Sequence, residues 1–200
     1  MEKSKDPLHN QFHVFRILDD LNAFLKENKE IDINKINYEV LLLSICWHDT
    51  WKSKRFPGSI GLLFYQLIKD GTGSMALFKR YAKKTTLDKE ILKETKYAIK
   101  KHGEFQILPR KTLESKILKD LDLLEKWSLE RLKPLEKKYL VPEKINLKLL
   151  RLAKFYFDHF LFPMKKSKFY FKWSQIEFKK RKTFFLTRAK KLLKEYQNFL

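Results

Sequence analysis

The stretch Cys46-Trp47-His48-Asp49-Thr50-Trp51-Lys52 sets an imidazole beside a carboxylate, straight after the apolar run Val40-Leu41-Leu42-Leu43-Ser44-Ile45. Imidazole nitrogen and carboxylate oxygen are common donors to a borderline divalent metal. A carboxylate carried into an apolar interior is costly unless it is paired or coordinates an ion. A polar helix end would use the same residues without any chemistry. The metal reading therefore depends on further His and Asp residues recurring where helices can bring them to the same point. They do recur: His9 and His13 early in the chain, His102 near its middle, and Asp120 and Asp122 beyond it.

The elements that must position these residues are helices. Leu, Lys, Glu and Ile dominate the 200 residues, while five Gly and six Pro leave long stretches uninterrupted, so the chain reads as all-α. A first helix is expected over 9–26, with Phe12, Val14, Ile17, Leu18, Leu21, Phe24 and Leu25 at helical spacing. His13 lies beside that apolar face. His9 is four residues before it, a spacing at which two histidines can share a metal, and Arg16 is three after it. A second helix over 38–48 is apolar almost all round and is expected to be the central buried one, with Cys46 as a buried structural thiol. A third starts at Gly58 or Ser59 and is expected to break at Gly71-Thr72-Gly73-Ser74, followed by a short helix over 75–83. That glycine pair is no phosphate loop, because the Gly-Lys-Ser/Thr ending and the preceding strand are both missing.

A helix over 88–101 carries Ile91, Leu92, Thr95, Ala98 and Ile99 on one face. His102 ends this stripe before Gly103, where it can act as a C-terminal cap or enter a site. Pro109 and Thr112 open the next helix, through Leu113, Ile117, Leu118, Leu121, Leu124 and Trp127. Asp120 and Asp122 interrupt its apolar part, and periodicity leaves open which of the two faces inward. A helix over 144–162, a basic aromatic connector over 163–172 and a last helix follow. The last helix has Ser174 and Glu177 at capping-box spacing and carries Phe185, Ala189, Leu192, Tyr196 and Phe199.

The lone Cys46 excludes an internal disulfide and fits a reducing compartment. No apolar run reaches the roughly 20 residues of a membrane span. The charged start Met1-Glu2-Lys3-Ser4-Lys5-Asp6 lacks the apolar segment of a signal peptide, so the expected location is cytoplasmic. The net charge of +20 is uneven and concentrates over 165–194. That segment can contact nucleic acid through lysines interleaved with Phe169, Tyr170, Phe171 and Trp173, or it can be a solvated helix face.

Taken in order, His13, His48-Asp49, His102 and Asp122 resemble the HD-domain metal-dependent phosphohydrolases. Residues 6–16, Asp-Pro-Leu-His-Asn-Gln-Phe-His-Val-Phe-Arg, are similar to that family's opening His-Val-x-Arg helix. His48-Asp49-Thr50-Trp51-Lys52 matches His-Asp-x-x-Lys, with Thr50-Trp51 standing where Ile-Gly is common. Residues 112–124 resemble the family's Glu-containing helix with an Asp-x-Asp pair, with Leu121 standing where Ala is common. The resemblance covers residues 6 to 130. It implies an HD-like helical bundle over 1–140, with 141–200 as a basic C-terminal helical extension packed on it. It also implies that His13, His48, Asp49 and Asp122 ligate a divalent metal (Mn, Mg, Fe, Co, Ni or Zn), with Asp120 supporting them.

The function this implies is hydrolysis of a phosphoester, on a nucleotide or another small phosphorylated molecule, by a metal-activated water, with Asp49, Lys52 and His102 as catalytic residues. Lys52 and Arg16 would meet the phosphate. His102 would donate to the leaving oxygen or bind a second metal. The alternatives are a phosphodiesterase on single-stranded nucleic acid and a non-catalytic, metal-stabilised module that binds nucleotides or RNA. Sequence does not specify the oligomeric state.

Overall fold

The computed structural model describes residues 4–6, 8–54, 59–103, 108–133, 151, 154–155, 158–159 and 168–195. Among them the fold is all-helical, with no strand. The described residues form six α-helices: α1 Gln11–Glu27, α2 Tyr38–Trp47, α3 Ile60–Ala82, α4 Lys89–His102, α5 Leu113–Glu125 and α6 Lys172–Glu195. Short 3₁₀ turns at Ile33–Lys35, Lys52–Lys54 and Leu129–Arg131 join them.

The first five helices each begin on a side chain that takes their free amide protons. Asn10 accepts from Phe12 and His13, Asn37 from Val40, Ser59 from Leu62, Asp88 from Glu90 and Ile91, and Thr112 from Ser115. The last helix is started differently. The expected Ser174–Glu177 capping box is not formed, because α6 already begins at Lys172 and Glu177 instead pairs with Lys180 and Arg181. Carboxylates from other elements take its first amides: Asp120 accepts from Tyr170 and Phe171, and Glu30 accepts from Lys172.

The central helix is α5, whose residues are buried on every side from Ile117 to Glu125 apart from the half-exposed Lys119. It packs against α1, α2, α4 and α6. One core joins Ile17, Leu21 and Phe24 of α1, Leu41 and Ile45 of α2 and Ile117, Leu118, Leu121 and Leu124 of α5 to Phe178, Phe185, Ala189 and Leu192 of α6. The expectation of a buried α2 is corrected. Glu39, Leu42 and Cys46, spaced three and four apart, form an exposed face, so Cys46 is an exposed thiol.

A second correction concerns Gly71-Thr72-Gly73-Ser74, through which α3 runs unbroken. These glycines permit close approach rather than a turn. A Cβ on Gly71 would collide with the Lys100 carbonyl oxygen of α4, and one on Gly73 with the Trp51 ring. Gly103 does end α4, though with φ −49° and not in the left-handed region. Arg110 Nη2 donates to the carbonyls of His102, at 3.2 Å, and Gly103, at 3.4 Å.

The aromatics of the basic tail mostly turn inward. Phe178 and Phe185 pack edge-on against Trp127, at 5.2 and 5.5 Å, and Phe171 and Trp173 against Phe24, at 5.1 and 5.5 Å. Arg181 forks onto Asp20 at 2.8 and 2.6 Å. Lys179, Lys180 and Lys182 do not enter this core: Lys179 and Lys180 are exposed and Lys182 is half-exposed. The expected helix over 144–162, most of the 163–172 connector, and Tyr196 and Phe199 lie outside the described residues. No described helix is long and apolar enough to cross a membrane.

Candidate metal centre

The last turn of α2 explains how two adjacent residues can face one point. His48 closes the helix, with its amide still on Ser44, and the chain then turns so that Asp49 swings to the same side. The Trp51 amide donates to Ser74 Oγ of α3 at 3.1 Å, and this pins the turn. His13 arrives from α1, Asp122 from α5, Asp70 from α3, and His102 from the last residue of α4. All six side chains are buried.

Four of them were expected to meet, and they do. One nitrogen of His13, one of His48 and one oxygen each of Asp49 and Asp122 lie within 4.8 Å of one another. His13 Nε2 is 3.1 Å from His48 Nε2, 3.1 Å from Asp49 Oδ2 and 3.8 Å from Asp122 Oδ1. His48 Nε2 is 3.3 Å from Asp49 Oδ2 and 3.7 Å from Asp122 Oδ1.

The outer nitrogens decide what the inner ones offer. His48 Nδ1 donates to the Ile45 carbonyl at 2.8 Å, His102 Nδ1 to the Ile99 carbonyl at 2.6 Å, and His13 Nδ1 faces Glu125 Oε2 at 2.9 Å. In a neutral ring a proton held on Nδ1, as at His48 and His102, leaves Nε2 with a lone pair for an ion. Those lone pairs point at carboxylate oxygens, acceptors facing acceptors, and Asp122 Oδ1 has no hydrogen-bond partner. Only a cation or an added proton resolves such a cluster. Two imidazole nitrogens and two carboxylate oxygens suit a divalent transition ion or Zn, so the residues present fit a metal.

The electrostatics agree. Burial pulls the His48 imidazole down, but Asp49 and Asp122 outweigh it and push its pKa up to about 10, so without an ion a proton takes the place on Nε2 that a cation would hold. Burial raises Asp49, yet Lys52, His48 and His9 hold it well below the usual carboxylate range. Burial also raises Asp122, and Lys126 and His48 overcome it. The site thus keeps its carboxylates ionised and attracts positive charge.

Lys52 is buried, with Nζ 3.0 Å from Asp49 Oδ1 and 2.5 Å from Asp70 Oδ2. His102 joins it: Nε2 is 3.0 Å from Asp70 Oδ2 and 3.4 Å from Asp49 Oδ1. Arg16 does not point at the metal ligands. Its Nε and Nη2 donate to Glu125 Oε1 at 2.8 and 2.5 Å. Glu125 also pairs with Arg131 and thereby braces His13. His9 sits at the edge, with Nδ1 on Asp6 at 2.7 Å and Nε2 3.7 Å from Asp49 Oδ2. Asp120 is not a support for the ligands, because it turns away to the tail.

Asp70 and Glu125 were missed from sequence, although a signal existed. Asp70 interrupts the stripe Leu63, Leu67, Ser74, Phe78, and Glu125 follows Asp122 by three and Leu121 by four. An acid inside an apolar stripe is a buried acid, and a buried acid needs a partner.

Compared with known proteins, the chain matches no family model, no curated protein and no solved structure.

Proposed function

We propose that this chain is a metal-dependent phosphoester hydrolase acting on a nucleotide or another small phosphorylated molecule. The observation that carries the reading is the convergence of the His13 and His48 Nε2 atoms with ionised Asp49 and Asp122, braced by Glu125 behind His13. A divalent ion held there would polarise a phosphoryl oxygen and lower the pKa of a bound water. Lys52 supplies positive charge beside the ligands, the complement a phosphoryl group requires. Burial lowers the His102 imidazole, but Asp70 and Asp49 outweigh it and raise its pKa, so with Nδ1 fixed on Ile99 its Nε2 holds the second proton and is the group that returns a proton to the leaving oxygen. Arg16 has two of its donors on Glu125, so in this reading it positions His13, and its remaining N–H groups are the ones left for phosphate.

A second reading is favoured by the burial of every ligand. Structural metal sites are closed, whereas catalytic ones keep a position open. A module that uses the ion to hold α1, α2 and α5 together would have this geometry too.

Screening the purified chain on a phosphoester panel with Mn, Mg, Fe, Co, Ni and Zn separates the two. The hydrolase reading expects ion-dependent turnover that disappears in Asp49→Ala together with the bound ion. It also expects Lys52→Ala to retain the ion and to lose roughly 10²-fold or more in turnover. No turnover on any ester, with an ion so tightly held that its chelation unfolds the chain, would establish the structural reading instead.

A further inference from the structure

The cluster does not stop at Asp49. Its two oxygens face two groups: Oδ2 lies toward His13 and His48, and Oδ1 toward Lys52 and His102. Asp49, Asp70 and His102 offer donor atoms within 4.8 Å of one another, so the second group has the spacing of a cation site of its own. Asp70 is buried, and its Oδ1 has no hydrogen-bond partner. Yet a positive charge already stands between the two acids. Lys52 Nζ touches Asp49 Oδ1 and Asp70 Oδ2, the two oxygens that a second ion would have to bridge.

We propose that Lys52 is a resident cation that fills the second half of the centre and holds it to one divalent ion per chain. This rests on the reading that His13, His48, Asp49 and Asp122 bind the first ion.

Charge arithmetic supports it. Asp49, Asp70 and Asp122 supply three negative charges, which one divalent ion and the Lys52 ammonium balance. A second divalent ion beside that ammonium would leave two positive charges uncompensated in a buried space, where such an excess is costly. Lys126, 3.4 Å from Asp122 Oδ2, makes further positive charge still less welcome. The position is also built to hold the lysine. The Lys52–Lys54 turn begins three residues after Asp49, and lysine and carboxylate at that spacing reach each other without strain.

The test is a Mn²⁺ titration of the full chain, followed by elemental analysis and electron paramagnetic resonance. Wild type is expected to saturate at one ion, with the spectrum of an isolated Mn²⁺ that excess metal does not convert into a spin-coupled pair. Lys52→Arg, which keeps the charge, stays at one ion. Lys52→Met, which keeps the length and removes the charge, takes up two and shows spin coupling, and adding Asp70→Asn returns the count to one. A wild type that binds two coupled ions overturns the role of Lys52 and leaves the first site standing. A folded Lys52→Met that still binds one ion also overturns it. Should Lys52→Met not fold, Lys52→Gln is titrated in its place, with two coupled ions expected and a single ion overturning the role of Lys52. A wild type that binds no ion removes the first site as well, and the proposal falls with it.

Discussion

Asp120 and Asp122 lie two residues apart on α5, both almost fully buried, and they meet opposite surroundings. Two residues turn about 200° round a helix, so one carboxylate faces the metal centre and the other faces the tail. Burial raises the pKa of both. At Asp122, Lys126 and His48 outweigh burial and hold the carboxyl well below its usual range. At Asp120, burial wins over the backbone amides of Tyr170 and Phe171, and the pKa is pushed up to about 6. Depth is therefore not what separates them. Whole charges surround Asp122, whereas mostly amide dipoles meet Asp120. One face of α5 is built to receive a cation and the other to hold a backbone.

The largest effect should come from exchanging these roles. Asp122→Asn removes a ligand oxygen and should weaken metal binding beyond the roughly 10–100-fold that loss of a supporting residue costs. Asp120→Ala should keep the ion. Elemental analysis after gel filtration checks both. An ion lost from Asp120→Ala and kept by Asp122→Asn would reverse the assignment of the two faces.

Glu125 sharpens the comparison because it supports the centre without being in it. It fixes His13 from behind and is itself held by Arg16 and Arg131. Burial raises its carboxyl, but Arg131 and His13 bring it far below the ordinary value. Glu125→Gln keeps the shape and loses the charge. Metal affinity should fall about 10–100-fold, as for other carboxylate–histidine pairs. Calorimetric titration of folded variant that matches wild type would reduce Glu125 to a partner of the two arginines.

The parts of the centre legible in sequence were those marked by residue type. His13, His48 and Asp49 stand out because imidazole and carboxylate are rare beside such apolar runs, and Asp122 is one of two acids that interrupt the apolar run from Ile117 to Leu124. Asp70 was hidden by the misreading of α3. Gly71 and Gly73 look like a break, whereas they let α3 approach Lys100 of α4 and Trp51 closely enough to set Asp70 against His102. Such a purpose is visible only when the neighbouring helix is. The burial of α2 was overestimated for a similar reason, since composition does not say which side of Leu42 and Cys46 another helix covers. The docking of α6 by Asp120 and Glu30 joins residues 50 and 142 positions apart, beyond any local pattern.

The smallest effect, and the one that tests the two faces most directly, is a sign. A carboxyl whose folded pKa is lowered stabilises the chain above its ordinary value and loses that stability as pH falls, which is the case for Asp122. A carboxyl whose folded pKa is raised does the reverse. Between the ordinary 3.8 and about 6 the folded chain binds more protons at Asp120 than the unfolded chain does, so that contribution is full below 3.8 and declines as pH rises through 6. Asp120→Ala removes the titration and leaves the Tyr170 and Phe171 amides without their acceptor, at a cost of about 1–3 kcal/mol. Urea unfolding of wild type and Asp120→Ala, both in chelator so that metal affects neither, should therefore give a difference that is larger at pH ~4.5 than at pH ~7. At about 1.4 kcal/mol per pKa unit the change over that window should be about 2 kcal/mol at most. A difference that grows with pH would mean that Asp120, like Asp122, is held by whole positive charges, and the contrast between the two faces of α5 would be lost.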